Sequence, residues 1–444
     1  MANTYNYLRN VYQDIKLETK ENPTFLFLLL VLFTIPLGYA VNGIAVGLFA
    51  LVTLLTFKKQ NFKFEINLVL PMLLYILMAA SILWSRDINA TSRALSKVLP
   101  LLIIPLCFMA MSKFSEVQKQ KIVKYYSIGI LAFTLFYLTN AVFRFIATKD
   151  SSVFFYHQLV TEDINAIHVS VYATLAFFCF FRKLSKSIFD KVAMLILGAF
   201  IFLLSSKNII LIFILLILFY ELFYFRATQK IKWITIMMII LLSGTVLFSS
   251  KIRDRFLIEF QSNQKEGTVN QDFGNGIKVY NVSVQQAWSK EKFQQNEYFA
   301  GTAFRVYQIR IFKEMLQEDP IFFSGYGLNA SDFRIEEKGI EHNIFLGDEQ
   351  HEGYQKKNFH NQYIQIFAET GVLGVVLLLL IVLVNLGKAI KTKDFIHFCF
   401  AILMISLFLT ESFLARQRGV IFFTAIYCLF NSGFSLKPSM RNNL

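Results

Sequence analysis

The segment Phe359-His360-Asn361-Gln362-Tyr363-Ile364-Gln365-Ile366-Phe367-Ala368-Glu369-Thr370-Gly371-Val372-Leu373-Gly374 concentrates the chemistry of the chain. An imidazole is the side chain best suited to take a proton from a hydroxyl near neutral pH, so His360 is a candidate general base or acceptor-orienting group. Asn361, Gln365 and Glu369 are spaced by four and share one helix face. An acid carried into an apolar stretch normally faces a cavity or a partner, which singles out Glu369. On a continuous helix His360 would stand about 13 Å above Glu369, just outside a membrane surface. His342, His351 and His360 recur every nine residues, which does not set them on one helical face, and no carboxylate completes a ligand set. A metal is therefore not expected. Cys107, Cys179, Cys399 and Cys428 lie inside apolar runs without a CxxC and read as packing residues. Ser324-Gly325-Tyr326-Gly327 could turn tightly and offer backbone N–H groups to an anion, although an ordinary turn is the simpler reading.

These residues need elements to hold them, and the composition says of what kind. The chain has 444 residues, of which 55% are hydrophobic and only 17% charged, with 49 Phe. Apolar runs of about 17 to 25 residues are long enough to cross a bilayer. Twelve are predicted, at 24–41, 42–57, 66–84, 95–112, 126–147, 165–182, 191–206, 207–225, 231–250, 361–387, 394–412 and 419–436. The expected fold is an all-α polytopic membrane protein with one large, partly helical loop between helices 9 and 10. It divides into 1–250 (nine spans), the loop 251–358, and 359–444 (three spans). A cleavable signal is not expected, and the first 22 residues alternate acid and base as a short surface helix would. In the loop, Phe304, Ile309, Phe312, Met315 and Leu316 predict a helix over 302–318 that Pro320 ends.

Lys and Arg number 44 against 30 Asp and Glu, a net charge of +14. With both ends inside, 22 of the basic residues fall on cytoplasmic segments, 8 on short external segments and 14 in the long loop. That asymmetry follows the positive-inside rule, so most of the charge is topology and no nucleic-acid partner is implied. The external residues Arg86, Arg93, Lys97, Arg144, Lys149, Lys207, Arg416 and Arg418 oppose the rule and ask for another explanation.

The motifs resemble the O-antigen ligase and polymerase superfamily of bacterial membrane glycosyltransferases. The ligase pattern is His, then Asn, Ser or Gln, nine residues, Gly, two residues, and Gly, Thr or Tyr; His360-Asn361, Gly371 and Gly374 fit every defined position. Arg305, Pro320, Gly325 and Gly327 match a looser second motif in the family's order. One position departs: where the family often has an Arg, three residues and Leu, this chain has Lys207-Asn208-Ile209-Ile210-Leu211. Lysine keeps the charge without the bidentate fork.

The resemblance implies transfer of a glycan from undecaprenyl diphosphate to a hydroxyl of lipid A-core or a similar glycolipid. The reaction would take place at the periplasmic face of the inner membrane, among membrane lipids, with inversion and without a metal or other cofactor. His360 would be the base. Arg305, Lys207, Arg93, Arg416 and Arg418 would stabilise the departing diphosphate. Asn361, Glu369, Glu411, Gly325 and Gly327 would support the site or orient the acceptor. The polymerase of the same superfamily is the nearest alternative, disfavoured by the short loop from Ala147 to Ile164. A lipid or glycan transporter is the second; it predicts ionisable residues at mid-membrane and paired broken helices, and almost every charge here lies at a span end.

Overall fold

The computed structural model describes residues 2–161, 164–224, 257–258, 260–263, 268–270, 278–349 and 352–433. In chain order the helices that position the site are α1 (Ala2–Glu21), α2 (Thr24–Phe33), α3 (Tyr39–Leu55), α4 (Ile66–Ala80), α5 (Ile88–Val98), α6 (Pro100–Ala110), α7 (Glu116–Thr148), α8 (Tyr156–Leu159), α9 (Ala166–Phe181), α10 (Ile188–Leu203) and α11 (Lys207–Phe219). After them come α12 (Val284–Ser289), α13 (Gly301–Glu318), α14 (Asp332–Glu341), α15 (Gln362–Thr392), α16 (Phe395–Phe408) and α17 (Gln417–Asn431). Among the described residues, five helical stretches are long and apolar enough to cross a membrane: Ile66–Leu83, Ile88–Ala110, Glu116–Thr148, Lys207–Tyr224 and Gln362–Thr392. The helices α2, α3, α9 and α16 are apolar but shorter. The run predicted at 231–250, the charged stretch Lys251 to Arg255 and His351 lie outside the described residues.

The run predicted as one helix over 24–41 is broken. Helix α2 stops at Phe33, and Thr34 to Gly38, with Pro36 inside it, turns the chain into α3. Proline cannot continue the ladder, so carbonyls are freed. Asn42 Nδ2 takes the Val31 carbonyl at 2.9 Å, and Arg418 Nε takes that of Leu37 at 2.9 Å. The split at Lys207 is as expected: Ser205, with φ +52°, separates α10 from α11. The surface helix at the N-terminus is α1, where Asp14 binds Lys121 at 2.7 Å.

Aromatic rings fill the core between helices. Phe177 and Phe178 of α9 meet Phe213 of α11, and Phe400 of α16 meets Phe422 and Phe423 of α17. Leu54, Leu55, Phe143 and Ile188 point outward, as lipid-facing side chains do.

The loop unit has its own core of Phe299, Phe304, Tyr307, Ile311, Phe312, Met315, Tyr326 and Phe359, continuous with Ala368 of α15. The predicted 302–318 helix is α13, which ends two residues before Pro320. A small sheet, not anticipated, joins β1 (Val269–Asn270) antiparallel to β2 (Val279–Val282), and β2 parallel to β3 (Glu297–Phe299).

Candidate active site

Helix α15 does not begin at His360. Asn361 is its N-cap, accepting from the Tyr363 and Ile364 backbone N–H groups, and His360 precedes it with φ +48°. A non-glycine residue in the left-handed region costs about 1–2 kcal/mol and persists only where its surroundings enforce it. The enforcing contacts are Asn358, whose Oδ1 accepts from the His360 N–H at 3.1 Å, and the Phe304 ring against the imidazole at 5.7 Å. The straight-helix placement of His360 above Glu369 is thereby corrected: the turn swings the imidazole sideways, away from the α15 axis.

It swings onto Glu411. His360 Nδ1 lies 3.3 Å from Glu411 Oε2. Glu411 is 5% exposed and follows the end of α16, where its N–H and that of Thr410 both donate to the Leu407 carbonyl. An ionised carboxylate can only accept, so the contact holds the proton on Nδ1 and leaves Nε2 as the acceptor. No hydrogen bond to Nε2 occurs among the described residues, and the His360 side chain is 28% exposed.

The polar face of α15 brings Glu411 there. Asn361 Nδ2 donates to the Leu409 carbonyl at 3.2 Å, and the Leu414 N–H donates to Gln362 Oε1 at 2.6 Å. Ser412 Oγ donates to Gln365 Oε1 at 3.3 Å, and Gln365 Nε2 donates to Glu369 Oε1 at 2.6 Å. Gln365 therefore links the turn carrying Glu411 to Glu369. Glu369 itself is buried and reached by the Asn329 backbone N–H. It lines a void of about 20 Å³ with Lys97, Asn329 and Gln362, room for about one water.

Of the five nominated cations, Arg305 stands beside Glu411. Arg305 of α13 donates through Nε to the Thr410 carbonyl at 2.9 Å and through Nη1 to Gly301, leaving further N–H groups of its guanidinium. Lys207 opens α11, where the next residue, Asn208, binds the Ser406 carbonyl at 3.1 Å and Thr410 Oγ1 at 2.8 Å. Thr410 thus sits between Arg305 and Asn208. Arg418 is buried and engaged with Leu37 and the Tyr39 ring, 4.3 Å from its guanidinium carbon. Arg416 is exposed at the start of α17, and Arg93 is exposed on α5 with no ion pair or hydrogen bond to the His360 group among the described residues.

The glycines have backbone tasks. Gly371 (φ +69°, ψ −168°) interrupts α15, and a Cβ there would strike the Phe323 carbonyl. A Cβ on Gly325 would strike the Glu369 backbone. Across this close approach the N–H groups of Tyr326, Gly327 and Val372 donate to the carbonyls of Ala368, Glu369 and Phe322 at 2.8, 2.9 and 2.9 Å. The Tyr326 and Gly327 N–H groups are consumed here, so the turn acts as the simpler reading had it, as a structural turn rather than an anion cradle, and it docks the loop unit on the break in α15.

The far side of that turn is clamped by residues before α5. Trp84 Nε1 donates to the Ser324 carbonyl at 2.7 Å, and Arg86 pairs with Asp319 at 3.0 Å. Burial would raise the Asp319 carboxyl, but the Tyr326 hydroxyl at 2.6 Å, Arg86 and Arg334 more than offset it and hold it below the ordinary carboxylate range. Burial likewise pushes the Tyr326 phenol up.

Of the three histidines that the sequence reading did not name, His157, His168 and His397, the first two share a cavity. His168 is 3% exposed on α9, stacks at 4.4 Å on Phe413, and its Nε2 has no partner among the described residues. His157 of α8 lies across from it, both lining a cavity of about 230 Å³ with Arg416 and Arg418. A histidine inside an apolar run was the available signal for His168; nothing local marked His157.

The described helices thus carry a His–carboxylate pair with the Arg305 guanidinium on the same turn. Residues 192–379 match the family model described as O-antigen ligase. The matched segment includes Lys207, Arg305, Gly325, Gly327, His360, Asn361 and Glu369, and ends before Glu411, Arg416 and Arg418. No curated protein matches the chain.

Proposed function

We propose that the protein is an O-antigen ligase-type glycosyltransferase that moves a glycan from undecaprenyl diphosphate to a hydroxyl of lipid A-core or a similar glycolipid. The single observation that carries this reading is the contact of His360, which lies in the matched segment, with buried Glu411, beside Arg305. In the reaction, His360 Nε2 takes the proton from the acceptor hydroxyl as its oxygen attacks the anomeric carbon. Glu411 holds the ring in the required tautomer and balances the imidazolium that forms. The bond to the diphosphate breaks on the opposite face, which inverts the anomeric carbon. Negative charge grows on the leaving oxygen, where Arg305 and Lys207 are fixed in advance and need not rearrange.

The reading includes twelve spans with both termini in the cytoplasm, the loop 251–358 in the periplasm, and the site at the outer face of the inner membrane. Lys and Arg asymmetry supports that orientation. Glu369 and Asn361 act through the hydrogen bonds of α15, holding the turn that carries Glu411.

Ligation and polymerisation are separated by the glycans left in a strain lacking the protein. Loss of a ligase leaves full-length glycan on undecaprenyl diphosphate and bare acceptor lipid. Acceptors bearing one repeat unit would instead assign polymerisation.

A further inference from the structure

The cavity behind Glu411 is built like a binding site. Arg416, Arg418, His157, His168, Asn165 and Tyr39 converge on about 230 Å³. Each is placed by a specific device. Asn165 caps α9, its Oδ1 accepting from the Ile167 N–H at 2.8 Å. The Ala166 N–H points at His157 Nδ1, 3.4 Å away, which leaves the proton of a neutral His157 on Nε2. Arg418 is held over the Tyr39 ring by its bond to the Leu37 carbonyl.

Two groups in this cavity are unspent. The Arg416 guanidinium, at the N-terminus of α17, has no ion pair or hydrogen bond among the described residues. His168, more than nine-tenths buried, has no partner for Nε2. Leaving a buried ring nitrogen unsatisfied costs about 1–3 kcal/mol, which a bound ligand would recover. Two guanidiniums, two imidazoles and the start of a helix are a donor set for a polyoxygen anion, since each offers N–H and the helix end adds partial positive charge. The cavity adjoins the turn that carries Glu411: Phe413, two residues after it, meets the His168 ring at 4.4 Å, while Glu411 Oε2 contacts His360.

We propose that this cavity is a second anion subsite, which binds a phosphoryl group of a lipid substrate and is separate from the cation pair Lys207 and Arg305. The assignment of that group to a lipid substrate rests on the proposed function. The phosphoryl group comes either from the donor diphosphate or from a phosphorylated acceptor, and the test separates them.

The full-length protein in nanodiscs is titrated with inorganic pyrophosphate, as wild type and as Arg416→Gln and His168→Asn. Both variants are expected to weaken binding about tenfold or more, the scale of losing a charge-assisted contact. Unchanged pyrophosphate affinity in both would overturn the subsite, whether or not the protein transfers glycan. In transfer assays, a raised KM for the lipid diphosphate donor with unchanged kcat assigns the group to the donor. A raised KM for a phosphorylated acceptor, absent with the dephosphorylated one, assigns it to the acceptor. KM values all within about twofold of wild type would overturn the proposal while leaving glycan transfer intact.

Discussion

His360 Nδ1 and Glu411 Oε2 lie 3.3 Å apart although 51 positions separate the residues in the chain. The left-handed backbone at His360 and the turn after α16 bring them together. In the proposed mechanism this contact leaves Nε2, which has no partner among the described residues, to act as the base. Glu411→Gln keeps an acceptor for Nδ1–H but removes the charge that balances an imidazolium. Transfer is expected to fall about 10–100-fold, as for other partners of functional histidines, with the amount of inserted protein unchanged. Initial rates on purified wild type and variant measure this.

Arg305 bonds the Thr410 carbonyl and Lys207 precedes Asn208, which bonds the Thr410 hydroxyl, so the two cations belong to different elements and can be substituted separately. Arg305→Ala removes its bond to the Thr410 carbonyl and a cation near the leaving group. Its rate is expected to fall about 10²–10³-fold, the scale of losing one donor to a developing anion. Lys207→Arg restores the family's more usual residue and should retain most activity, whereas Lys207→Ala should not. Rates with saturating donor, compared across the three variants, test the assignment.

Gly371→Ala puts a methyl group against the Phe323 carbonyl at a backbone conformation that disfavours side chains. A loss of about 2–4 kcal/mol of stability is expected, combining strain and overpacking. The loop unit should undock first, because its hydrogen bonds to Ala368 and Glu369 cross this point. Limited proteolysis between Ile321 and Gly327, faster in the variant, is the readout.

Asp319 makes that docking sensitive to acid. Its carboxyl is lower in the folded protein than in the unfolded chain, where the value is about 3.9. Its contribution is complete above that value and is lost as the pH falls through the folded one. Thermal stability should therefore drop below about pH 4, and Asp319→Asn should show a smaller drop. At neutral pH the variant should be about 1–2 kcal/mol less stable, because Arg86 and the Tyr326 hydroxyl lose a charged partner. Melting curves at pH 3 and pH 6 check both statements.

Periodicity and local motif were enough to read α13, the break between α10 and α11, and the polar face of α15, because each depends on neighbours within a few residues. The functional meaning of that face was not local. Gln362 and Gln365 reach Leu414 and Ser412, and no spacing rule links positions so far apart. The break after Phe33 was hidden because Ile35 and Leu37 keep the run apolar through Pro36. The Gly-x-Gly turn left an anion cradle open beside the simpler turn reading, because its sequence is indifferent to what its N–H groups meet. Only the approach of α15 to Gly325 decides that. His168 carries no local motif, and its unpartnered Nε2 becomes visible only with the cavity around it.

The most direct test of the account is transfer by the purified full-length protein in proteoliposomes, supplied with an undecaprenyl-diphosphate-linked glycan and a lipid A-core acceptor. Wild type is predicted to form the glycolipid, and His360→Ala, inserted to the same level, to form it about 10²–10⁴-fold more slowly. Full activity in His360→Ala would contradict the assignment of the base, and with it the mechanism built on Glu411.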